Sequence, residues 1–351
     1  MNHSGGNQKM ERVGILTGGG DCPGLNAVIR AVVRYGMMQN WQIIGFRNGW
    51  KGLIDDDFIL LDYQSVAGIL PKGGTILGTS RTNPHKHPDG VEKVKSTFNK
   101  HNLRALIAVG GEDTLGVANK LYKEEGLRIV GVPKTIDNDL NATDYTFGYD
   151  TALNIAMECV DRLHSTAESH NRVMVVEIMG RHAGWITIEA GLAGGADVIL
   201  IPEVPVDIDK VCELIKKRHA RGRVFSIVAV AEGAKVLGME VTLDHEKDDF
   251  GHERLGGIGQ RLAEMIEKKT GYETRVTVPG HIQRGGSPTA FDRILGTRFG
   301  VKAVELVMQE KYGRMASLKG REIVDVAIAD SVGKLKTVPP EFYKMAEIFM
   351  G

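Results

Sequence analysis

An α/β fold in two domains is what this sequence predicts, and three observations predict it: length with apolar content, recurrent short β-branched runs, and helical periodicity between those runs. The chain has 351 residues, 42% hydrophobic and 25% charged. That is apolar material for a sizeable core, and the length points to two domains rather than one. The runs lie at 13–16, 105–109, 129–132, 173–178, 198–201, 224–231 and 275–278. Parallel strands buried on both faces need such continuous apolar runs. Segments 23–35, 114–125, 151–168 and 257–269 carry apolar residues at three- and four-residue spacing, the pattern of helices packed on a sheet. The alternation implies βαβ units.

Charge narrows the partners. Lys plus Arg and Asp plus Glu number 44 each, so no net field favours nucleic acid or an anionic membrane surface. Anions must be gripped locally. Cys22, Cys159 and Cys212 are odd in number and in no metal-ligand spacing, which argues against a disulfide framework or zinc site and suits a reducing cytoplasm. No apolar run approaches the roughly 20 residues of a membrane span. Residues 1–12 read as a loose tail, and the charged stretch 235–257 reads as a surface excursion with no chemistry assigned.

In doubly wound sheets ligands bind beyond the carboxyl ends of the strands, so the loop after each run matters most. Run 13–16 leads to Thr17-Gly18-Gly19-Gly20-Asp21. Glycines let backbone N–H groups approach an oxyanion, and Asp21 is placed to cap a helix whose first turn holds Pro23. This is neither the dinucleotide fingerprint nor the Walker A loop. A tight turn with no ligand would also use these glycines. Run 105–109 leads to Gly110-Gly111-Glu112-Asp113-Thr114, whose carboxylates suit Mg²⁺ near a phosphate and equally suit a helix cap. Run 129–132 leads to Pro133-Lys134-Thr135-Ile136-Asp137-Asn138-Asp139, more polarity than a turn requires. Run 173–178 leads to Met179-Gly180-Arg181-His182.

The last cluster, Gly280-His281-Ile282-Gln283-Arg284-Gly285-Gly286-Ser287, sets a His and an Arg three residues apart. Together they can grip a phosphate monoester by charge-assisted hydrogen bonds. Arg172, Arg275 and Arg284, taken singly, are as easily solvated or salt-bridged residues. Their joint occurrence around strands carries the functional reading.

Leu16-Thr-Gly-Gly-Gly-Asp-Cys-Pro-Gly-Leu-Asn26, Gly73-Gly-Thr-Ile-Leu-Gly-Thr-Ser-Arg81, Pro133 to Asp139, Val176-Glu-Ile-Met-Gly-Arg181 and Gly280 to Ser287 resemble the signature set of the phosphofructokinase family. The resemblance runs from about residue 13 to about residue 300. It implies two similar domains, each a largely parallel sheet with helices on both faces. Residues 13–148 with about 283–333 would bind the phosphoryl donor, and about 149–282 with 334–351 the sugar phosphate. It implies phosphorylation of fructose 6-phosphate at its 1-hydroxyl, with Mg²⁺ as cofactor. Asp137 would be the general base, with Lys134, Thr135 and Arg181 also catalytic. Gly19, Gly20, Arg81, Asp113 and Thr114 would bind the donor, and Glu112, where many relatives carry Asp, and Asp139 the metal. Thr135, Asp137, Met179, Gly180, Arg181, Glu232, His281 and Arg284 would bind the sugar phosphate. Arg172 and Arg275 would reach the 6-phosphate of a neighbouring subunit in a homodimer or homotetramer with shared active sites.

Two positions bear on the donor. ATP-using members usually carry glycine at the place of Asp113, and many at the place of Lys134. A carboxylate at Asp113 should crowd and repel the α-phosphate and ribose of a nucleotide, whereas pyrophosphate ends before it. The pair resembles the pyrophosphate-dependent type, so pyrophosphate is the expected donor and the reaction is expected to be reversible. ATP as donor is the alternative within the family, and a non-catalytic sugar-phosphate sensor the alternative of another class. A lipid or NAD kinase shares a Gly-Gly-acid loop but lacks the 133–139 and 280–287 motifs.

Overall fold

A computed structural model describes residues 10–238 and 255–351. Most of the 235–257 excursion and of the amino-terminal tail therefore lies outside the described residues. The strands are β1 (Arg12–Thr17), β2 (Gln42–Phe46), β3 (Phe58–Leu61), β4 (Leu103–Gly110), β5 (Ile129–Pro133), β6 (Val173–Ile178), β7 (Val198–Leu200), β8 (Ser226–Ala231), β9 (Thr274–Thr277), β10 (Arg314–Lys319) and β11 (Glu322–Ala327). The helices are α1 (Leu25–Met38), α2 (Trp50–Asp55), α3 (Gly90–Lys100), α4 (Glu112–Glu125), α5 (Tyr149–His170), α6 (Trp185–Ala193), α7 (Ile208–Ala220), α8 (Ile258–Thr270), α9 (Ala290–Met308) and α10 (Pro340–Glu347).

The chain forms two compact units. The first comprises residues 1–134, 142–147 and 293–333, and the second 135–141, 148–292 and 334–351. Segments 135–141 and 283–292 thus group with the second unit, whereas the sequence predicts them in the donor half. Arg12 opens β1 rather than closing a tail.

In the first unit seven strands run in the order β11-β10-β5-β4-β1-β2-β3. The central pairs β1–β2, β1–β4 and β4–β5 are parallel, and antiparallel pairs close the two edges, β2–β3 and β10–β11. The chain leaves β1 towards β2 and β3, then returns to β4 on the other side of β1. That reversal makes the carboxyl ends of β1 and β4 a topological switch point, the place where open sheets bind ligands. Val13, Ile15, Leu16, Ile107, Val109 and Val132 are fully buried, as strands covered on both faces require. Helix α1 turns Leu25, Val28, Ile29, Val32 and Val33 inward at helical spacing. Its N-cap is Gly24, at φ 107°, with no side-chain cap, and Pro23 precedes the helix. Asp21 is therefore not its cap, because it lies three residues outside the position from which a side chain can reach the first free N–H groups.

The second unit holds a four-stranded parallel sheet in the order β7-β8-β6-β9. Val173, Val175, Val198, Val228, Val230, Leu262 and Ile266 form its core with Val211 and Ile215 of α7. The carboxyl ends of β6, β8 and β9 present residues 179–181, Glu232 and the short helical turn Gly280–Arg284. Among the described residues no helix is long and apolar enough to cross a membrane.

Candidate active site

The first unit gathers the 17–21 glycine loop, Thr114 and Lys134 at its switch point. Gly18 donates its N–H to Val109 O at 2.9 Å, and Gly19 donates to Ser80 O at 3.0 Å. Thr79 Oγ1 in turn donates to Gly19 O at 2.6 Å. The glycine loop is thus held between β4 and the segment that delivers the exposed Arg81. Gly19 has φ 79°, and a Cβ there would stand 3.5 Å from Lys134 Nζ and 3.8 Å from Thr114 Oγ1. Lys134, only 3% exposed, donates its ammonium to the Gly20 carbonyl. Its backbone N–H donates to Gly110 O at 3.0 Å. A buried ammonium needs such acceptors to offset its desolvation.

Helix α4 begins beside this loop. Its N-cap is Gly111, with no side-chain cap, and Glu112 and Asp113 occupy its first turn. Neither acid is a cap, and both carboxylates stand at the positive end of the helix dipole. Glu112 Oε1 accepts the Gly333 N–H at 2.9 Å. Thr114 is buried, with its hydroxyl 2.6 Å from where a Cβ at Gly18 would lie.

The second unit gathers the groups assigned to the sugar. Asp137 donates its N–H to Thr135 Oγ1 at 3.0 Å, and that hydroxyl donates to Asp137 Oδ2 at 3.3 Å. Asp137 is 5% exposed, and its Oδ1 has no hydrogen-bond partner among the described residues. A buried carboxylate oxygen left open is costly unless something fills it in use. The Glu232 carboxylate accepts the N–H groups of Gly180 at 3.2 Å and Arg181 at 2.9 Å. Burial pushes the Glu232 carboxyl above its ordinary range, and the Asp137 charge adds to that. The Arg181 and Gly180 N–H groups and the Arg284 charge oppose it. These mutual influences bring Asp137, Gly180, Arg181, Glu232 and Arg284 to one locality. His281 is exposed on the 280–284 turn.

Gln283 is a functional candidate that the sequence does not single out. It is fully buried, and its Oε1 accepts the Met179 N–H at 3.0 Å, tying the 280–284 turn to the 179–181 loop. Its Nε2 has no partner among the described residues. Only its place between His281 and Arg284 could have flagged it.

Arg172 and Arg275 are not brought to this locality. They sit at the amino ends of neighbouring strands β6 and β9, and Glu273 bridges both, at 2.8 Å to Arg172. The six residues of β6, at about 3.3 Å each, separate Arg172 from residues 179–181 by roughly 20 Å.

Among the described residues no three His, Cys, Asp or Glu side chains gather into a metal cage. Glu112 in the first unit and Asp139 in the second each offer a hard carboxylate of the kind Mg²⁺ takes, usually one or two at a time with substrate phosphates and water completing its shell. The open Asp137 Oδ1 is consistent with a site finished by its ligands.

Comparison with known proteins addresses the chain as a whole. Residues 12–307 match the family model described as phosphofructokinase. A Streptomyces coelicolor protein named pyrophosphate--fructose 6-phosphate 1-phosphotransferase is 56% identical over 342 residues, covering 97% of this chain and 100% of that one. Another from the same organism, named ATP-dependent 6-phosphofructokinase 3, is 50% identical, with coverages of 96% and 99%. The structure of phosphofructokinase from Saccharomyces cerevisiae superposes with a TM-score of 0.78 at 30% identity; it covers 96% of this chain, which spans 46% of the yeast one. With the family model running through strands β1 to β9 and the loops that follow them, the chain belongs to the phosphofructokinase family.

Proposed function

We propose that this chain transfers a phosphoryl group between pyrophosphate and the 1-hydroxyl of fructose 6-phosphate, reversibly and with Mg²⁺. Asp137 accepts the proton of the sugar hydroxyl. The hydroxyl oxygen bonds to one phosphorus of pyrophosphate, the bridging P–O bond breaks, and orthophosphate leaves. Phosphoryl transfer asks the protein for positioning and charge neutralisation more than for covalent chemistry. The Lys134 ammonium beside the glycine loop meets charge on the leaving phosphate, and Arg81 and Arg181 add to it. The loop N–H groups at Gly19 and Gly20, with Thr114, orient the donor. Mg²⁺, assigned to Glu112 and Asp139, supplies further neutralisation of the phosphates when bound. Thr135 orients Asp137, while Met179, Gly180, Glu232, His281 and Arg284 hold the sugar phosphate.

The observation that carries pyrophosphate as donor is the Asp113 carboxylate in the first turn of α4, at a position that is not the N-cap. Overall identity does not decide the donor, since relatives named for either donor reach 50% or more. The carboxylate opposes a nucleotide's α-phosphate and does not oppose pyrophosphate. Arg172 and Arg275, remote along β6 from the 179–181 loop, fit a role towards a second copy's 6-phosphate in a cytoplasmic homo-oligomer.

One panel tests the reading: initial rates with pyrophosphate or ATP, each with Mg²⁺, in both directions. Turnover with pyrophosphate and little with ATP is expected. Turnover with ATP and none with pyrophosphate would reverse the donor assignment, and no turnover with either would favour a sensor.

A further inference from the structure

We propose that Lys336, far beyond the family signatures, is a positioning residue that locks the Asp137 loop in its working shape. The inference rests on Asp137 being the base. Lys336 Nζ donates to Asn138 Oδ1 at 2.9 Å. Its backbone N–H donates to Asp139 O at 2.8 Å. Leu335 forms a β-bridge with Leu140. The segment therefore holds three successive residues of the loop, 138 to 140, immediately after Asp137.

Asn138 explains why the loop needs holding. It is 2% exposed and has φ 52°, a left-handed conformation that side-chain-bearing residues adopt reluctantly. Asparagine is tolerated there, but a buried amide oxygen must find a donor. Lys336 provides a charged one, and charged donors make the stronger bond. Lys336 is itself fixed. Trp185 Nε1 donates to Lys336 O at 2.9 Å, and the ammonium lies 5.6 Å from the centre of the Trp185 ring. Trp185 opens α6, directly after the 179–184 loop, and its carbonyl accepts the Tyr149 hydroxyl at 3.3 Å. One lysine thus links the segment bearing Asp137 and Asp139 to the helix behind the sugar-binding loop. Residues 12–307 match the family model, so Lys336 itself lies outside the span which that model reads.

The test is a double-mutant cycle on Lys336→Met and Asn138→Gly, with kcat and KM measured using whichever of pyrophosphate or ATP the parent turns over. Methionine keeps the stem over Trp185 and loses the ammonium; glycine keeps the left-handed backbone and loses the acceptor. Each single variant should lower kcat on the order of 10- to 100-fold, with KM for fructose 6-phosphate changed less than about 3-fold. The double variant should lose no more than the worse single. Lys336→Arg, the milder change should Lys336→Met fail to fold, should retain more activity than methionine. A Lys336→Met kcat within about 2-fold of the parent, or losses that multiply in the double variant, would overturn the proposal. Failure of the base assignment shows separately, as an Asp137→Asn variant with parental kcat.

Discussion

The Glu232 carboxylate accepts the backbone N–H of Arg181 at 2.9 Å, and Arg181 is held at φ 52°, the left-handed region. An arginine in a disfavoured backbone state needs its surroundings to impose that state. The neighbouring Gly233 is part of the imposition, because a Cβ there would fall 1.9 Å from Arg181 O. Gly233→Ala should therefore displace Arg181 and raise KM for fructose 6-phosphate at least about tenfold, by loss of roughly 1.4 kcal/mol or more of binding. Steady-state kinetics against the sugar phosphate checks this, and an unchanged KM would show that the 181 backbone is free to shift.

Asp137→Asn retains shape and removes the carboxylate proposed as the base. The expected result is a kcat lowered by about 10²–10⁴, with fructose 6-phosphate binding kept within a few-fold by isothermal titration. Parental turnover in the variant would take Asp137 out of the proton transfer.

The donor side separates into two substitutions. Asp113→Gly should raise kcat/KM for ATP by roughly tenfold or more through relief of crowding and repulsion. Lys134→Met should lower kcat with pyrophosphate by about 10²–10³, the scale of losing one charge-stabilising donor. Competition assays with both donors read the two effects together. No gain with ATP in the first variant would count against the steric account.

Asp292 predicts a pH-dependent stability. It is fully buried at the start of α9, where its Oδ2 accepts the Thr151 N–H at 2.8 Å and the Thr151 hydroxyl at 2.6 Å. Burial pushes its carboxyl up from 3.8 to about 6, opposed by the Thr151 bonds. Between those values the folded chain keeps a proton that the unfolded chain has released, so this group's contribution to stability falls as pH rises. A shift of that size corresponds to roughly 2–3 kcal/mol. Asp292→Asn should therefore gain on the parent by about that amount between pH 4 and pH 7, read from denaturant unfolding at each pH. A parent-to-variant difference that stays flat with pH would show that Asp292 does not titrate in this window.

The sequence by itself determined the features that are local along the chain. The runs that became β1, β4, β5, β6, β7 and β8 are apolar because both faces are covered, and that requirement is written into consecutive residues. The loops after them, at 17–21, 110–114, 133–139, 179–182 and 280–287, were legible because glycines, acids and bases crowd where parallel strands end. The antiparallel pairs β2–β3 and β10–β11, at the two ends of the first sheet, were not legible. β11 is only partly buried and its apolar residues are interrupted by Asp325, while β3 is a continuous apolar run of four residues, also only partly buried and too short to stand out. Tertiary structure alone decided the rest. Gly111 rather than an acid caps α4, which removes capping as the reason for Asp113. Arg172 and Arg275 fall at the opposite end of β6 from Arg181. Gln283, Asn138 and Lys336 owe their importance to partners 104, 198 and 198 residues away in sequence. Such pairs leave no period or motif, because burial and hydrogen bonding select them only after the sheet has fixed where each loop ends.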